Sequence, residues 1–304
     1  MLSLVKPNTN TKPIVQRAPP KTASNLSIQK LPSTKLLFFG QSGSGKTYVI
    51  VELLRLGVKV LLLSSDLGGS GTETVINAAL NQYPELLDEN GTFSNLKEFI
   101  ADSYDDVEKF ITKPEEACPD IWEFNPDVIF WDGFSNFQTS LLLEKVLDLT
   151  NHKRDDAISD ARKEGFQAEA ADWGMVKTRT YSFLNAFGAI HNPFTKKVPI
   201  KIVTCMMEAK LKGTGNITEG SKVTETRAPK VVGDARIGLP GFFSMIIQTK
   251  VTALNGEDKG KRKYTYVTQG HEGLNSKNRG FDVPVETESF SDIWDAVTYK
   301  KKNK

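Results

Sequence analysis

The sequence has few of the residues that cross-link a chain or bind metals. Its 304 residues include two cysteines and three histidines. Cys118 and Cys205 lie far apart, without the spacing of a metal site, so a framework of disulfides is excluded as the basis of the fold. The low cysteine content indicates a reducing compartment. His152 and His191 have no cysteine or histidine beside them, which argues against metal ligation.

Long apolar runs and a strong excess of one charge are also lacking. No hydrophobic stretch is long enough to span a bilayer, and the N-terminus has no apolar signal segment. We therefore expect a cytoplasmic protein with no membrane partner. The formal net charge is only +2, so any surface for nucleic acid must be a local one. Hydrophobic residues at 39% and charged residues at 25% are typical of a soluble globular protein.

A glycine-rich segment carries the clearest chemical signal. It lies between an apolar run, Leu36 to Phe39, that predicts a strand and a stretch, Tyr48 to Leu56, that predicts an amphipathic helix. Such glycines let backbone N–H groups surround a phosphate, and the helix N-terminus adds partial positive charge. We expect Lys46 to reach the β- and γ-phosphates of a bound nucleotide and the Thr47 hydroxyl to bind Mg²⁺. The eight residues fit G-x-x-x-x-G-K-[ST], the P-loop or Walker A motif: Gly40, Gln41, Ser42, Gly43, Ser44, Gly45, Lys46 and Thr47.

Acidic residues follow the next predicted strand. The run from Lys59 to Ser65 is almost continuously apolar, as expected for a parallel strand buried on both faces. Asp66 follows it, at the end where open α/β sheets bind ligands. Asp66 is a candidate for orienting the attacking water, and equally a candidate N-cap of the following helix. Glu73 is the second candidate for the water-orienting role.

A second acidic strand end follows after a further strand candidate, Leu96 to Asp102. Val128, Ile129, Phe130 and Trp131 precede Asp132, and four hydrophobic residues before an acid are the Walker B pattern. We expect this buried strand to direct Asp132 at the Mg²⁺, beside Thr47.

A basic segment follows the last predicted central strand, Pro199 to Glu208. Glu208 is a candidate for sensing the γ-phosphate through a bridging water, with a structural hydrogen bond as the alternative. Residues 210–236 are too many for an ordinary connection, and long loops are often functional. Their basic excess suits a phosphate backbone, although a solvated charged face is the alternative. The candidate DNA-binding residues are Lys210, Lys212, Lys222, Arg227, Lys230 and Arg236.

The remaining segments complete the predicted organisation. Residues 1–30 are rich in Pro, Asn, Thr and Lys and predict a disordered basic arm, residues 31–299 one domain, and residues 300–304 a basic tail. Two strands, Phe243 to Lys250 and Lys263 to Thr268, predict a C-terminal β-hairpin. Lys277 and Arg279 follow it and are candidates for contacting phosphates in the same or a neighbouring subunit. A solvated turn is the alternative.

The order of these features resembles a RecA-like P-loop ATPase core, and more narrowly the phage-encoded RecA-core ATPases that include single-strand annealing proteins. The resemblance covers about residues 33–285. It rests on the P-loop and Walker B motifs together with Trp173-Gly174, the strand Val203 to Glu208, the stretch Ile237 to Phe243 and the segment Ser276 to Gly280.

The resemblance implies an α/β fold with a mostly parallel central sheet, flanking helices and a C-terminal β-hairpin. It implies a phage-type protein of the host cytoplasm that assembles into a ring or filament with Mg·ATP between subunits. Lys277 and Arg279 would reach a neighbour's γ-phosphate. The loops after the Walker B and sensor strands would face single-stranded DNA, with a single-strand DNA-binding protein as a further partner.

Two departures from the family pattern predict either slow hydrolysis or a catalytic base at another position. Met206 and Met207 stand where many relatives place His, and Asp66 is shorter than the usual Glu. The predicted function is a slow, DNA-stimulated ATPase that anneals or recombines single-stranded DNA in phage-type recombination or replication. The alternatives are a partner-driven motor, such as a helicase loader or packaging ATPase, and a non-hydrolysing ATP-binding scaffold. A small-molecule kinase is the weakest, because the chain shows no arginine-rich lid.

Overall fold

The computed structural model describes residues 34–66, 70–151, 170–212, 224–231, 238–253, 262–270 and 276–298. The predicted arm, residues 1–30, and the predicted tail, residues 300–304, lie outside the described residues. Lys222 and Arg236 lie outside them as well.

A large sheet forms the centre of the fold. Its strands lie in the order β10-β8-β7-β1-β5-β4-β2-β3, with β6 paired to β5 and β9 paired to β7. The inner strands are parallel to one another, and the pairs involving β6, β8, β9 and β10 are antiparallel. The strands are β1 Lys35–Gly40, β2 Val60–Ser64, β3 Leu96–Ile100, β4 Val128–Asp132, β5 Ile200–Lys212, β6 Thr224–Pro229, β7 Met245–Ala253, β8 Arg262–Val267, β9 Lys277–Asn278 and β10 Glu286–Thr287.

Helices cover both faces of this sheet. Parallel strands require crossover connections, and helices supply them between β1 and β5. The helices are α1 Tyr48–Arg55, α2 Ser70–Gln82, α3 Tyr104–Thr112, α4 Pro114–Ala117, α5 Ile121–Phe124, α6 Phe134–Asn136, α7 Leu143–Asn151, α8 Ala170–Ala189 and α9 Phe290–Val297. A π-helical segment, Phe137–Leu142, joins α6 to α7.

Two hydrophobic cores lie on opposite sides of the sheet. One contains Trp131, whose ring lies 4.9 Å from that of Phe134 and 5.3 Å from that of Phe187. The other contains α1 and α9, with Phe38 packed against Phe290. Every residue of β2 and β4 is buried, because these strands have a core on each face. The predicted parallel α/β fold is confirmed.

The C-terminal hairpin predicted from the sequence is also present. Strands β7 and β8 pair antiparallel, from Gln248 opposite Val267 to Ala253 opposite Arg262. Within the described part of the chain, no helix combines the length and apolar character needed to cross a membrane.

The prediction of one long connection over residues 210–236 is wrong in part. Strand β5 continues to Lys212, and β6 returns antiparallel to it, with Glu208 opposite Ala228. The two strands form a second antiparallel pair, which we call the basic hairpin and define as residues 207–212 and 224–229. The sequence did not predict the full length of β5, because its C-terminal half is polar and lacks the apolar run of its buried N-terminal half.

Candidate nucleotide-binding site

The segment between β1 and α1 adopts a tight loop. Gly43 has a φ of +73° and Gly45 a φ of +90°, a backbone region that side chains with a Cβ rarely adopt. Strand β1 ends at Gly40 and α1 begins at Tyr48, so the loop spans the motif. A cavity of about 310 Å³ opens above it.

The Lys46 ammonium group lies on the inside of this loop. Its Nζ donates hydrogen bonds to the carbonyl oxygens of Gly40 at 3.2 Å and Gln41 at 2.8 Å. Burial lowers the pKa of Lys46, while the carboxylates of Asp132 and Asp66 act in the opposite direction. A partly buried cation that donates to two backbone carbonyl groups is well placed for an arriving phosphate.

Asp132 lies at the carboxyl end of β4, beside the loop. Its Oδ2 accepts a hydrogen bond from the Thr47 hydroxyl at 2.8 Å. Its Oδ1 accepts bonds from the Thr204 hydroxyl and, at 3.2 Å, from the Gly133 N–H. Asp132 is buried, so these three donors fix the orientation of its carboxylate. The structure therefore brings together the two predicted Mg²⁺ residues, Thr47 and Asp132.

Helix α2 approaches the same carboxylate closely. A Cβ added to Gly71 would lie 2.8 Å from Asp132 Oδ2 and 3.6 Å from the Thr47 methyl carbon. Gly71 therefore leaves room beside this oxygen that a larger residue would fill.

The two candidates for orienting water occupy different places. Asp66 lines the cavity and acts electrostatically on Lys46. Glu73 lies on the exposed side of α2, outside the residues that line the cavity. Within this chain, Asp66 is therefore the better placed of the two.

These residues fit the group that the motif implies. The hydroxyl of Thr47 and the carboxylate of Asp132 are hard oxygen ligands of the kind that Mg²⁺ prefers. The cavity beside them is bounded by the glycine-rich loop and by Lys46, which suits a polyphosphate.

Comparison with protein families agrees with this geometry. A family model described as an AAA domain matches residues 33–280, which is most of the chain. The chain belongs to this AAA domain family. AAA domains of this type are P-loop ATPases, which typically use ATP and Mg²⁺. Comparison with curated protein sequences finds no significant match.

Strand β5 contributes three residues to the cavity. Thr204, Cys205 and Met206 line it, and Met206 stands opposite Gly40 in the register. Glu208 lies two residues further along β5, inside the basic hairpin and outside the cavity lining. Its predicted role at the γ-phosphate has no support from this placement. Burial raises the pKa of the Cys205 thiol to about 12, so this sulfur stays protonated near neutral pH.

Lys277 and Arg279 lie at the end of the sheet where the parallel strands begin, whereas the P-loop lies where they end. The Arg279 N–H donates to Ser244 O at 3.2 Å, and the Ser244 N–H donates to Lys35 O at 2.8 Å. Arg279 is thus level with the first residue of β1, whereas the P-loop follows the last. The Arg279 Nη2 also donates to the Gly241 carbonyl oxygen at 3.0 Å. The Lys277 ammonium group donates to the Pro240 carbonyl oxygen. Neither residue reaches the phosphate site of its own chain.

The candidate DNA-binding residues divide into three groups. Lys210 and Lys212 lie on β5 and Arg227 on β6, so all three belong to the basic hairpin. Lys230 directly follows β6 and is exposed. The other two candidates, Lys222 and Arg236, lie outside the described residues.

Tyr264 is a site residue that sequence reasoning missed. Its ring stacks on Tyr48 with centroids 5.0 Å apart and an angle of 22° between the planes. A Cβ on Gly45 would lie 2.5 Å from Tyr264 Cδ1, so the ring covers the P-loop directly. The only sequence signal was its place in a strand of the C-terminal hairpin. Other cavity residues missed in the same way are Thr74, Ser135, Asn136 and Thr204.

Proposed function

We propose that this AAA domain binds Mg·ATP at the P-loop, hydrolyses it slowly, and assembles on single-stranded DNA in phage-type recombination or replication. The observation that carries the proposal is the joint placement of Lys46, Thr47 and Asp132 around one cavity. The order of elements that resembles the RecA-core ATPases supports the finer role.

In this proposal the P-loop and the residues around Asp132 have defined tasks. The P-loop N–H groups and Lys46 bind the β- and γ-phosphates. Thr47 and Asp132 hold Mg²⁺, which when bound neutralises charge on the phosphate oxygens. Thr204 and Gly133 keep the Asp132 carboxylate oriented.

Hydrolysis proceeds by in-line attack of water on the γ-phosphorus. Asp66 orients the water by accepting a hydrogen bond and then takes one of its protons. The water oxygen forms a bond to phosphorus while the bond from phosphorus to the bridging oxygen of ADP breaks. Asp66 is shorter than Glu, so we expect slow turnover in the absence of an activator.

Assembly would complete the charge balance at this site. Among the described residues that line the cavity, Lys46 is the only cation, and two carboxylates accompany it. Lys277 and Arg279 are at the far edge of the sheet, so they would act on the cavity of a neighbouring copy. A cationic side chain that a neighbouring subunit supplies to the γ-phosphate, called an arginine finger, can contribute roughly 10³-fold or more to turnover.

The basic hairpin would contact the DNA backbone. It continues β5 beyond the edge of the sheet where the cavity lies, and it carries Lys210, Lys212 and Arg227. Basic residues at this place suit a chain of phosphates and give a salt-dependent interaction.

A partner-driven motor is the second candidate, and one observation favours it. Phe194 is 80% exposed beside a cavity of about 730 Å³ that is lined by Ile111, Trp122 and Ile190. Exposed apolar surface of this kind often marks a contact with another protein.

The test of the proposed function is phosphate release from ATP, with and without single-stranded DNA, at two protein concentrations. Stimulation by DNA and a rate per subunit that rises with concentration would support the proposal. A rate per subunit that changes with neither single-stranded DNA nor protein concentration would contradict the DNA role and favour the partner-driven motor.

A further inference from the structure

The described lining of the cavity carries little positive charge. Lys46 is the only cation among the described lining residues, and Asp66 and Asp132 lie beside it. A triphosphate brings one more charged phosphate than a diphosphate does. A cation near the γ-phosphate position would therefore favour ATP over ADP.

The main chain of Lys230 is fixed at the rim of this cavity. Its N–H donates to the Met206 carbonyl at 2.6 Å. Its own carbonyl accepts a hydrogen bond from the Ser135 hydroxyl at 2.8 Å. Ser135 and Met206 both line the cavity, so Lys230 lies one residue outside its wall.

Ser135 joins these two contacts into one arrangement. Its hydroxyl oxygen accepts a hydrogen bond from the Met206 N–H at 3.0 Å, while the hydroxyl donates one to the Lys230 carbonyl oxygen. Ser135 is 5% exposed, so water competes little for these bonds. Partly buried hydrogen bonds therefore hold the end of β6 against the cavity wall.

The Lys230 side chain is available for a ligand. It is exposed, and no acidic residue in the described ranges forms an ion pair with it. Its flexible four-carbon stem lets the ammonium group adapt to a phosphate at the rim. Lys277 and Arg279, in contrast, lie at the other edge of the sheet in the same chain.

We propose that Lys230 binds the γ-phosphate in its own chain, and that Ser135 is the positioning residue that holds it there. The inference rests on the proposed nucleotide site and adds a cation that distinguishes ATP from ADP. Because Lys230 directly follows the basic hairpin, the same contact would link triphosphate binding to the hairpin.

The test is calorimetric titration of the full chain with Mg·ADP and with a non-hydrolysable Mg·ATP analogue. Lys230→Met should weaken binding of the analogue about 10-fold or more and leave ADP binding within about twofold. Lys109→Met, the same change at an exposed lysine of α3, should alter neither affinity. Lys230→Arg should retain the preference for the analogue.

Ser135→Ala tests the positioning role separately. It keeps the Lys230 charge and removes the hydroxyl, so the ratio of analogue to ADP affinity should fall while ADP binding stays. An unchanged ratio in Lys230→Met, or equal losses for both nucleotides, would overturn the inference while the proposed nucleotide site stands. A wild-type protein that binds neither nucleotide would overturn both together.

Discussion

The Thr47 hydroxyl and the Asp132 carboxylate, 85 residues apart in sequence, are joined by a hydrogen bond of 2.8 Å. The bond exists because the P-loop follows β1 while Asp132 ends β4, and parallel strands bring their carboxyl ends to one edge. Thr204 donates to the other oxygen of the same carboxylate. The candidate Mg²⁺ site is thus supported from two sides.

Thr204→Val should reduce Mg²⁺-dependent ATP hydrolysis. The change keeps the volume of the side chain and removes the hydroxyl that orients Asp132. Mutation of residues that orient a metal ligand typically lowers metal affinity or activity by 10–100-fold, so we expect a rate lower by roughly that factor. The measurement is the rate of phosphate release against Mg²⁺ concentration. Thr112→Val, at an exposed threonine of α3, is the control, and equal rates in the two variants would refute the role.

Tyr264→Ala should weaken nucleotide binding through the base. The stacked rings of Tyr48 and Tyr264 flank the P-loop, and stacking on an aromatic side chain is worth about 1–3 kcal/mol per base. We expect ATP affinity to fall about 5-fold or more by titration. Inorganic triphosphate should bind equally to both proteins, and Tyr264→Phe should behave as wild type. Equal losses for ATP and triphosphate would instead indicate damage to the loop itself.

Mixing two inactive variants should restore hydrolysis if Arg279 acts across an interface. Arg279→Ala retains an intact P-loop, and Lys46→Ala retains the finger, so some mixed interfaces contain both. Random assembly of equal amounts predicts recovery of up to about a quarter of the wild-type rate. The measurement is phosphate release from the mixture against each variant alone. A mixture no more active than its components would remove Arg279 from the proposed mechanism.

Lys201 should make the free energy of unfolding rise with pH above neutrality. This buried side chain donates to the carbonyls of Ile190 and Pro199 at 2.8 Å each, and burial lowers its pKa to about 7, with Lys35 adding to the effect. Its pKa in the unfolded chain is about 10.4, so between pH 7 and 10 the unfolded state binds more protons than the folded state. Stability therefore increases over that range, by at most about 1.4 kcal/mol per pH unit.

Lys201→Met should flatten this dependence, because the variant has no proton to release at that position. The measurement is urea unfolding of both proteins at pH 7, 8 and 9. Parallel curves for the two proteins would show that Lys201 does not titrate in this range. Lys59→Met, at an exposed lysine, should leave the dependence as in wild type.

The sequence predicted those parts of the site that are contiguous along the chain. The spacing of its glycines predicts the P-loop, and an apolar run that ends in an acid predicts the end of β4. Thr204 and Ser135 were missed because their partners lie about 70 or more residues away. Only the sheet order brings them together.

The direction of side chains and strands also limited the sequence prediction. Asp66 and Glu73 were both candidates, and the structure separates them, because only Asp66 lines the cavity. Lys277 and Arg279 follow a strand, but the segment returns antiparallel along the start of β7, so they lie at the far edge of the sheet. The pattern of residues alone did not reveal that reversal.

The measurement that tests the account most directly is the initial rate of phosphate release from Mg·ATP by the wild type and by Lys46→Ala, with Lys59→Ala as the control. The account predicts steady release by the wild type and the control and none above background by Lys46→Ala, because Lys46 is the cation held inside the P-loop. Release by Lys46→Ala at the wild-type rate would contradict the assignment of this cavity as the site of hydrolysis.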